Sequence, residues 1–473
     1  MSREKNLVKN TIIITIGKVC TQLITFILLP LYTSILTVEE YGIVDVLNTL
    51  VALMLPIVTL QIEQAVFREL IECRDNEDKK KKVVSSGVIS VIFQCLIYVI
   101  IFIIIFPIIK NDYKIFLATN VITYIFLSLF QQIARGMGKN KEFSIASFIT
   151  AIFTIVFNLL FLLVIKLGAN GMLIGTMLGQ VFGTVYLFLT LKLYKYISLK
   201  TYKKDILKQL FKYSMPLIPN AICWWVFNAS DRIIVTSFLG VGENGILAAS
   251  LKFSTLYITL YNIFNMSWTE SISLNINDSD FESYFNNTFK IVLNLFITLA
   301  IGLISVMPFL YPLLINEKFS AGYGLIPIAI IGSLFNVIVG LISVIYVAKK
   351  NTKAIANTSI VAAICNIAIH IALIKFIGLY AAVVSTLASF FIMSIYRIYD
   401  INKKYIKIKI SGKLIFVSCI TLFIILVCYY SSNLYLYITA LVIALVYAWC
   451  INKNSIYKIV HFLNSKLGGK KKD

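Results

Sequence analysis

The chain has 473 residues, of which 59% are hydrophobic and only 14% charged, and its mean hydropathy is +0.87. Soluble domains carry about a quarter charged residues, so this composition excludes a soluble enzyme or binding module and predicts an all-α, polytopic membrane protein. The formal charge of +21 needs no nucleic acid, because a basic binding stripe requires a soluble face and the chain offers none.

A hydrocarbon core of about 30 Å takes about 20 apolar residues per helix. Read at that length, the sequence predicts fourteen spans: 11–33, 43–69, 84–106, 114–134, 143–166, 171–191, 213–237, 244–268, 288–311, 323–348, 354–374, 379–397, 414–430 and 433–451. The first is too long for a signal-peptide core and has no small-residue cleavage site. With the N-terminus inside, 34 Lys and Arg fall in inside segments and 5 in outside loops. Basic loops stay in the cytoplasm, so both termini are placed there.

The outside loops are short, which leaves no room for a catalytic loop. There is no Walker loop, HExxH or GxSxG. Of the two histidines, His461 is in the tail and His370 shares a face with Asn366. A pH sensor and a buried, hydrogen-bonded ring are both open for His370, the second preferred. The eight cysteines lack metal-ligand spacing and read as apolar packing. The chain is not read as an enzyme, and no cofactor or metal is expected.

Short echoes recur about 200 residues apart. EEYGIV resembles GENGIL, aligning Gly42 with Gly245; GANGMLIGT from Gly168 resembles GLYAAVVST from Gly378, with Thr176 and Thr386 at the same offset; GKNK at Gly138 resembles KKNT at Lys349. Their common order predicts two six-helix repeats related by an axis along the membrane normal. The expected segments are an N-terminal lobe 1–198, a C-terminal lobe 199–403, and 404–473 with spans 13 and 14 and a basic tail.

Four basic residues remain inside spans: Lys18, Arg68, Arg232 and Lys252, in spans 1, 2, 7 and 8. The same spans hold Gln22, Asp45, Asn48, Gln61, Glu63, Gln64, Asn228, Asp231, Asn262 and Asn265, whereas spans 13 and 14 offer little beyond Ser, Thr and Tyr. Charges inside a membrane are costly and face water or one another. Spans 1, 2, 7 and 8 are therefore expected to line a hydrated cavity, and 13 and 14 to meet lipid. Each residue also has a plainer reading. Arg68 can snorkel to the interface, Asp45 can cap its helix, and Asp231 and Arg232 can pair. Sequence neighbours diverge by about 100° on a helix, however, so one of that pair must face something else. The apolar run around them is expected to tolerate the two charges because they face water and an anionic cargo.

LPLYTSILTVEEYGIVDV, SMPLIPN and SDRIIVTSFLGVGENGILAASLKF together resemble the Wzx-type polysaccharide flippases of the multidrug/oligosaccharidyl-lipid/polysaccharide exporter (MOP) superfamily. The resemblance covers essentially the whole chain. It implies two six-helix bundles around a cationic cavity, plus two extra helices. It also implies transfer of an undecaprenyl-diphosphate-linked sugar repeat unit across the bacterial plasma membrane, for O-antigen or capsule. Membrane lipids, a polysaccharide polymerase and glycosyltransferases are the implied partners. Asp231 and Arg232 match the family's Asp-Arg. Arg232, Lys252, Lys18 and Arg68 would hold the diphosphate, and Trp224, Trp225, Tyr257 and Tyr261 suit sugar faces and hydroxyls. The rivals are a lipid II flippase and a cation-coupled multidrug exporter; the excess of basic over acidic residues inside the spans disfavours an organic cation as cargo.

Overall fold

In a membrane, long apolar runs can satisfy their backbone groups only by folding as helices or closed barrels, and this chain takes the first course. The computed structural model describes residues 26–108, 112–349 and 351–468, and every regular element in it is helical. In chain order these are α1 Leu29–Ile35, α2 Val38–Thr59, α3 Ile62–Glu72, α4 Glu77–Ile105, α5 Lys114–Gly136, α6 Asn140–Leu159, α7 Gly168–Thr190 and α8 Lys204–Ser214. There follow α9 Leu217–Phe238, α10 Val241–Asn275, α11 Phe281–Leu314, α12 Ile326–Ala348, α13 Thr352–Ile377, α14 Tyr380–Lys404, α15 Gly412–Tyr430 and α16 Leu434–Gly468. Among the described residues, twelve helices are long and apolar enough to cross a membrane. The protein is a multi-pass membrane protein. Expected span 7 coincides with α9, which is not among the twelve because Asn220, Asn228, Asp231 and Arg232 lower its hydropathy. Expected span 1 lies mostly outside the described residues.

Expected span 2 is not one helix. It breaks at Leu60 and Gln61, which both take left-handed backbone angles (φ 51° and 59°). The start of α2 is fixed by a capping box: the Thr37 hydroxyl accepts from Glu40 N at 3.1 Å, and the Glu40 carboxylate accepts from Thr37 N at 3.0 Å. Glu40 also accepts from Ala169 N at 3.3 Å, which ties α2 to the start of α7. Gly168 makes that approach possible, since its φ is +55° and a Cβ there would lie 2.1 Å from Glu40 Oε1. Gly378, its partner in the sequence echo, opens α14 at φ +56°.

By contact the chain divides into residues up to Ala248 and residues from Ala249, inside α10. Within the first unit α9 packs on α2. In the first unit, Ile62, Val66 and Leu70 of α3 pack with Ile125, Leu129 and Ile133 of α5. In the second unit, α12 and α13 pack on α14, while α15 and α16 pack on α11, where Asn452 Nδ2 donates to Thr298 Oγ1 at 2.8 Å. Phe416, Phe423 and Leu445 of α15 and α16 are 66%, 68% and 70% exposed, the pattern of side chains that meet lipid.

Candidate functional site

The polar residues of the first unit converge near the turn from α9 to α10. Arg232, in the C-terminal half of α9, projects to α2, where its Nε lies 2.8 Å from Asp45 Oδ2. The side chains are only 22% and 15% exposed. From α10, Asn244 Nδ2 donates to Gly42 O at 3.2 Å and lies 3.5 Å from the same Asp45 oxygen. Tyr41 sits beside both charges, and Asp231 is buried next to them in sequence. One turn further along α2, Trp225 Nε1 donates to Thr49 O at 2.8 Å. The charges inside α9 are thus tolerated because a carboxylate from another helix meets the guanidinium.

Two glycines allow this convergence. A Cβ on Gly42 would fall 2.0 Å from Val241 O, and one on Gly245 would fall 2.0 Å from Val38 O. The starts of α2 and α10 therefore meet backbone to backbone. Small residues at such crossings let helices approach closely enough for Cα–H···O contacts.

The sequence-predicted residues fare differently. Asp45 does not cap α2, a task done by Thr37 and Glu40; it pairs with Arg232 instead. Arg232 and Asp231 share this site. Lys252 is half-buried on the part of α10 that belongs to the second unit. Lys18 lies outside the described residues. Arg68 is half-exposed on α3 and pairs with Glu72 at 2.8 Å, past the helix break and remote from Arg232. Tyr257 and Tyr261 are not displayed for a sugar: both are buried, and their hydroxyls donate to Phe296 O and Asn265 Oδ1, each at 2.9 Å. The Trp224 side chain is outside the described residues.

Arg397 is a further correction. Counted by sequence as a cytoplasmic loop charge, it is 2% exposed, because α14 continues to Lys404. Its guanidinium donates to the Ser343 and Ser359 hydroxyls, to Thr358 Oγ1 and to Ile355 O, clamping α12, α13 and α14 together. His370 and Asn366 are fully buried, and Asn366 Nδ2 donates to Thr386 Oγ1 at 3.0 Å, the buried reading of that pair.

The family profile described as "Polysaccharide biosynthesis protein" matches residues 7–273, more than half of the chain and all of the site just described. The chain belongs to the polysaccharide biosynthesis protein family. Solved structures share its fold. One is a lipid II flippase, MurJ, in an inward closed conformation, with 16% identity and a TM-score of 0.71 over 95% of this chain and 100% of that one. Another is a multidrug resistance MATE family transporter of the MOP superfamily in an inward-facing conformation, with 12% identity and a TM-score of 0.63 over 81% of this chain and 95% of that one. An outward-facing MATE family structure gives 13% identity and a TM-score of 0.58, over 85% and 96% of the two chains. No curated protein matches the sequence. At these identities the structures establish the fold of this family member, which is the fold shared by the MurJ and MATE structures.

Proposed function

We propose that the protein is a flippase that carries an undecaprenyl-diphosphate-linked saccharide repeat unit from the cytoplasmic to the outer leaflet of the bacterial plasma membrane by alternating access. Its family and its fold support transport of a polysaccharide precursor. The observation that carries the reading is the Arg232–Asp45 pair: a cation kept within the membrane, held by an acid from a different helix. Such a cation can exchange its carboxylate for an anionic linkage when the two helices part, and a planar guanidinium grips two phosphate oxygens at once. Lys252 and Lys18 are proposed as further partners of the diphosphate, with Asp231 setting the local charge and Arg68 contributing at the membrane interface.

In this reading α9 and segment 11–33 complete fourteen spans, arranged as two six-helix repeats with α15 and α16 outside them. The Lys and Arg bias supports a cytoplasmic location for both termini. Moving a negative charge outward is favoured by about 2.3 kcal/mol per charge per 100 mV of inside-negative potential.

The test is the cargo. In cells lacking the protein, lipid-linked saccharide should accumulate on the inner leaflet and surface polysaccharide should disappear, with both restored by the wild type. Normal polysaccharide together with blocked lipid II transfer, or with altered drug tolerance, would transfer the protein to one of the rival cargoes.

A further inference from the structure

The far end of α2 holds a second polar feature that the proposed cargo site does not use. Two consecutive left-handed non-glycine residues, Leu60 and Gln61, cost about 1–3 kcal/mol each and persist only where their surroundings hold them. Gln94 of α4 supplies part of that hold, since its Nε2 donates to Thr59 O at 3.1 Å, a carbonyl at the helix end. The Thr59 hydroxyl donates to Leu55 O at 2.7 Å and accepts from Gln61 N at 3.2 Å. Its proton is therefore committed, and one lone pair remains.

Glu63 lies two residues beyond this break and is 1% exposed. Neither of its carboxyl oxygens accepts a hydrogen bond among the described residues. An ionised carboxylate in such a place has no cation within reach among the described residues; the first turn of α3, with the backbone N–H of Glu63 itself, is the favourable influence on it, set against a burial cost of several kcal/mol. A neutral acid lacks that penalty. The Thr59 hydroxyl faces Glu63, and in this structure its proton is given to Leu55 O.

The elements packed on α3 bring no compensating charge among the described residues. From α5, Tyr124 faces Glu63. Arg135, also on α5, stacks on Phe67 at 4.8 Å and donates to Gln132 at 3.1 Å. From α4, Lys79 pairs with Glu69 at 3.8 Å and Lys80 pairs with Glu77, with Lys81 and Lys82 beside them on the first turns of that helix. From α8, Lys204, Asp205, Lys208 and Lys212 are all exposed. Arg68, on α3 itself, is engaged by Glu72.

We propose that Glu63 is a proton-binding site: it holds a proton in this conformation and releases it when the α2–α3 break opens to water. The closed and open forms of the break then differ by one proton, because the carboxylate left after release cannot return to its buried place. The proton site stands apart from the cargo; only its use in driving transport rests on the flippase reading.

The experiment is infrared spectroscopy of the full-length protein in lipid nanodiscs, wild type against Glu63→Gln, which is close in shape to the neutral acid. The wild type should show a protonated-carboxyl band at neutral pH that the variant lacks. An ionised-carboxylate band lost in Glu63→Gln would overturn the proposal, and would mean that a cation outside the described residues, such as Lys18, pairs with it. Thermal unfolding across pH gives a second readout. A group protonated when folded and ionised when unfolded makes the folded-to-unfolded ratio fall up to tenfold per pH unit as pH rises above the unfolded value. That fall should be absent from Glu63→Gln, and parallel curves would overturn the proposal. Should the variant fail to insert, the band is titrated in the wild type alone, where loss of a protonated carboxyl on alkalinisation supports the site and no titrating band refutes it.

Discussion

Removing the Asp45 carboxylate separates a structural role for Arg232 from a functional one. In Asp45→Asn the guanidinium keeps a neutral acceptor but loses its counter-charge. Breaking a fully buried pair costs about 3–5 kcal/mol, whereas an exposed pair is worth about 0–1 kcal/mol. With side chains 22% and 15% exposed, this pair lies nearer the buried limit, and a loss of about 2–3 kcal/mol follows. Arg232→Gln should cost a similar amount, because it strands the carboxylate without a cation, with the neutral Asn244 amide at 3.5 Å and Tyr41 beside it. The double variant Asp45→Asn with Arg232→Gln removes both charges and should regain most of the stability, a coupling that a double-mutant cycle isolates. Thermal unfolding of the purified protein reads stability; surface polysaccharide in cells reads export. The flippase reading expects stability to return in the double variant and export to stay absent, since no cation on α9 remains for the diphosphate. Full export in the double variant would refute it and reduce Arg232 to a neutraliser of Asp45.

Three further outcomes follow from the geometry. Gly42→Ala and Gly245→Ala each drive a Cβ to within 2.0 Å of a carbonyl oxygen, so each should destabilise this packing by about 1–3 kcal/mol; unchanged melting in both would mean that the helices do not meet as described. Gln94→Leu removes the donor to Thr59 O and should cost about 1–3 kcal/mol by thermal unfolding; a neutral effect would mean that water or another group satisfies the helix break. For topology, cysteines replace two exposed residues, Lys204 and Asp112. In intact cells Asp112→Cys should react with an impermeant thiol reagent and Lys204→Cys should not, and the reverse pattern would invert the protein. Native Cys73 should stay silent, because burial pushes its thiol above the usual range.

The sequence shows where charge is out of place but not what meets it. Arg232 stands out in an apolar helix at any inspection, yet its partner lies 187 residues away, and only packing of α9 on α2 selects Asp45 over the adjacent Asp231. The echo of Gly42 and Gly245 was legible as a repeat, and the structure adds that the two glycines touch. Tyr257 and Tyr261 misled because a hydroxyl in a span reads the same whether it faces a sugar or donates to Phe296 O. Arg397 misled because hydropathy ends where charge begins, whereas Lys404, pairing with Asp400 at 2.6 Å, lies in the last turn of a longer helix. The break at Leu60 and Gln61 carries no glycine; its nearest sequence sign is Pro56, a turn earlier. Left-handed angles at two ordinary residues are set by tertiary contacts, here Gln94, and local sequence does not report them.

The Gly42–Gly245 contact carries its own argument about how such a protein can move. Each glycine lies four residues after the residue whose carbonyl the other glycine's Cβ would strike, and the distance is 2.0 Å on both sides. Equal spacing and equal distance are what a twofold relation between two copies of one motif would produce, and the echo EEYGIV and GENGIL spans both glycines. Packed cores resist separation because side chains interlock and each void left behind costs free energy. Where two backbones meet over glycines there is no side chain at the centre to interlock, so parting exposes little apolar surface. What holds the contact is polar and sits beside it: the Asn244 amide on Gly42 O and the Arg232–Asp45 pair. Both are interactions that an anionic, hydroxyl-rich cargo could replace one for one. Under the proposed function, an anionic cargo that draws Arg232 from Asp45 would loosen this joint, and the residues that make charge tolerable inside α9 would be the ones that sense it.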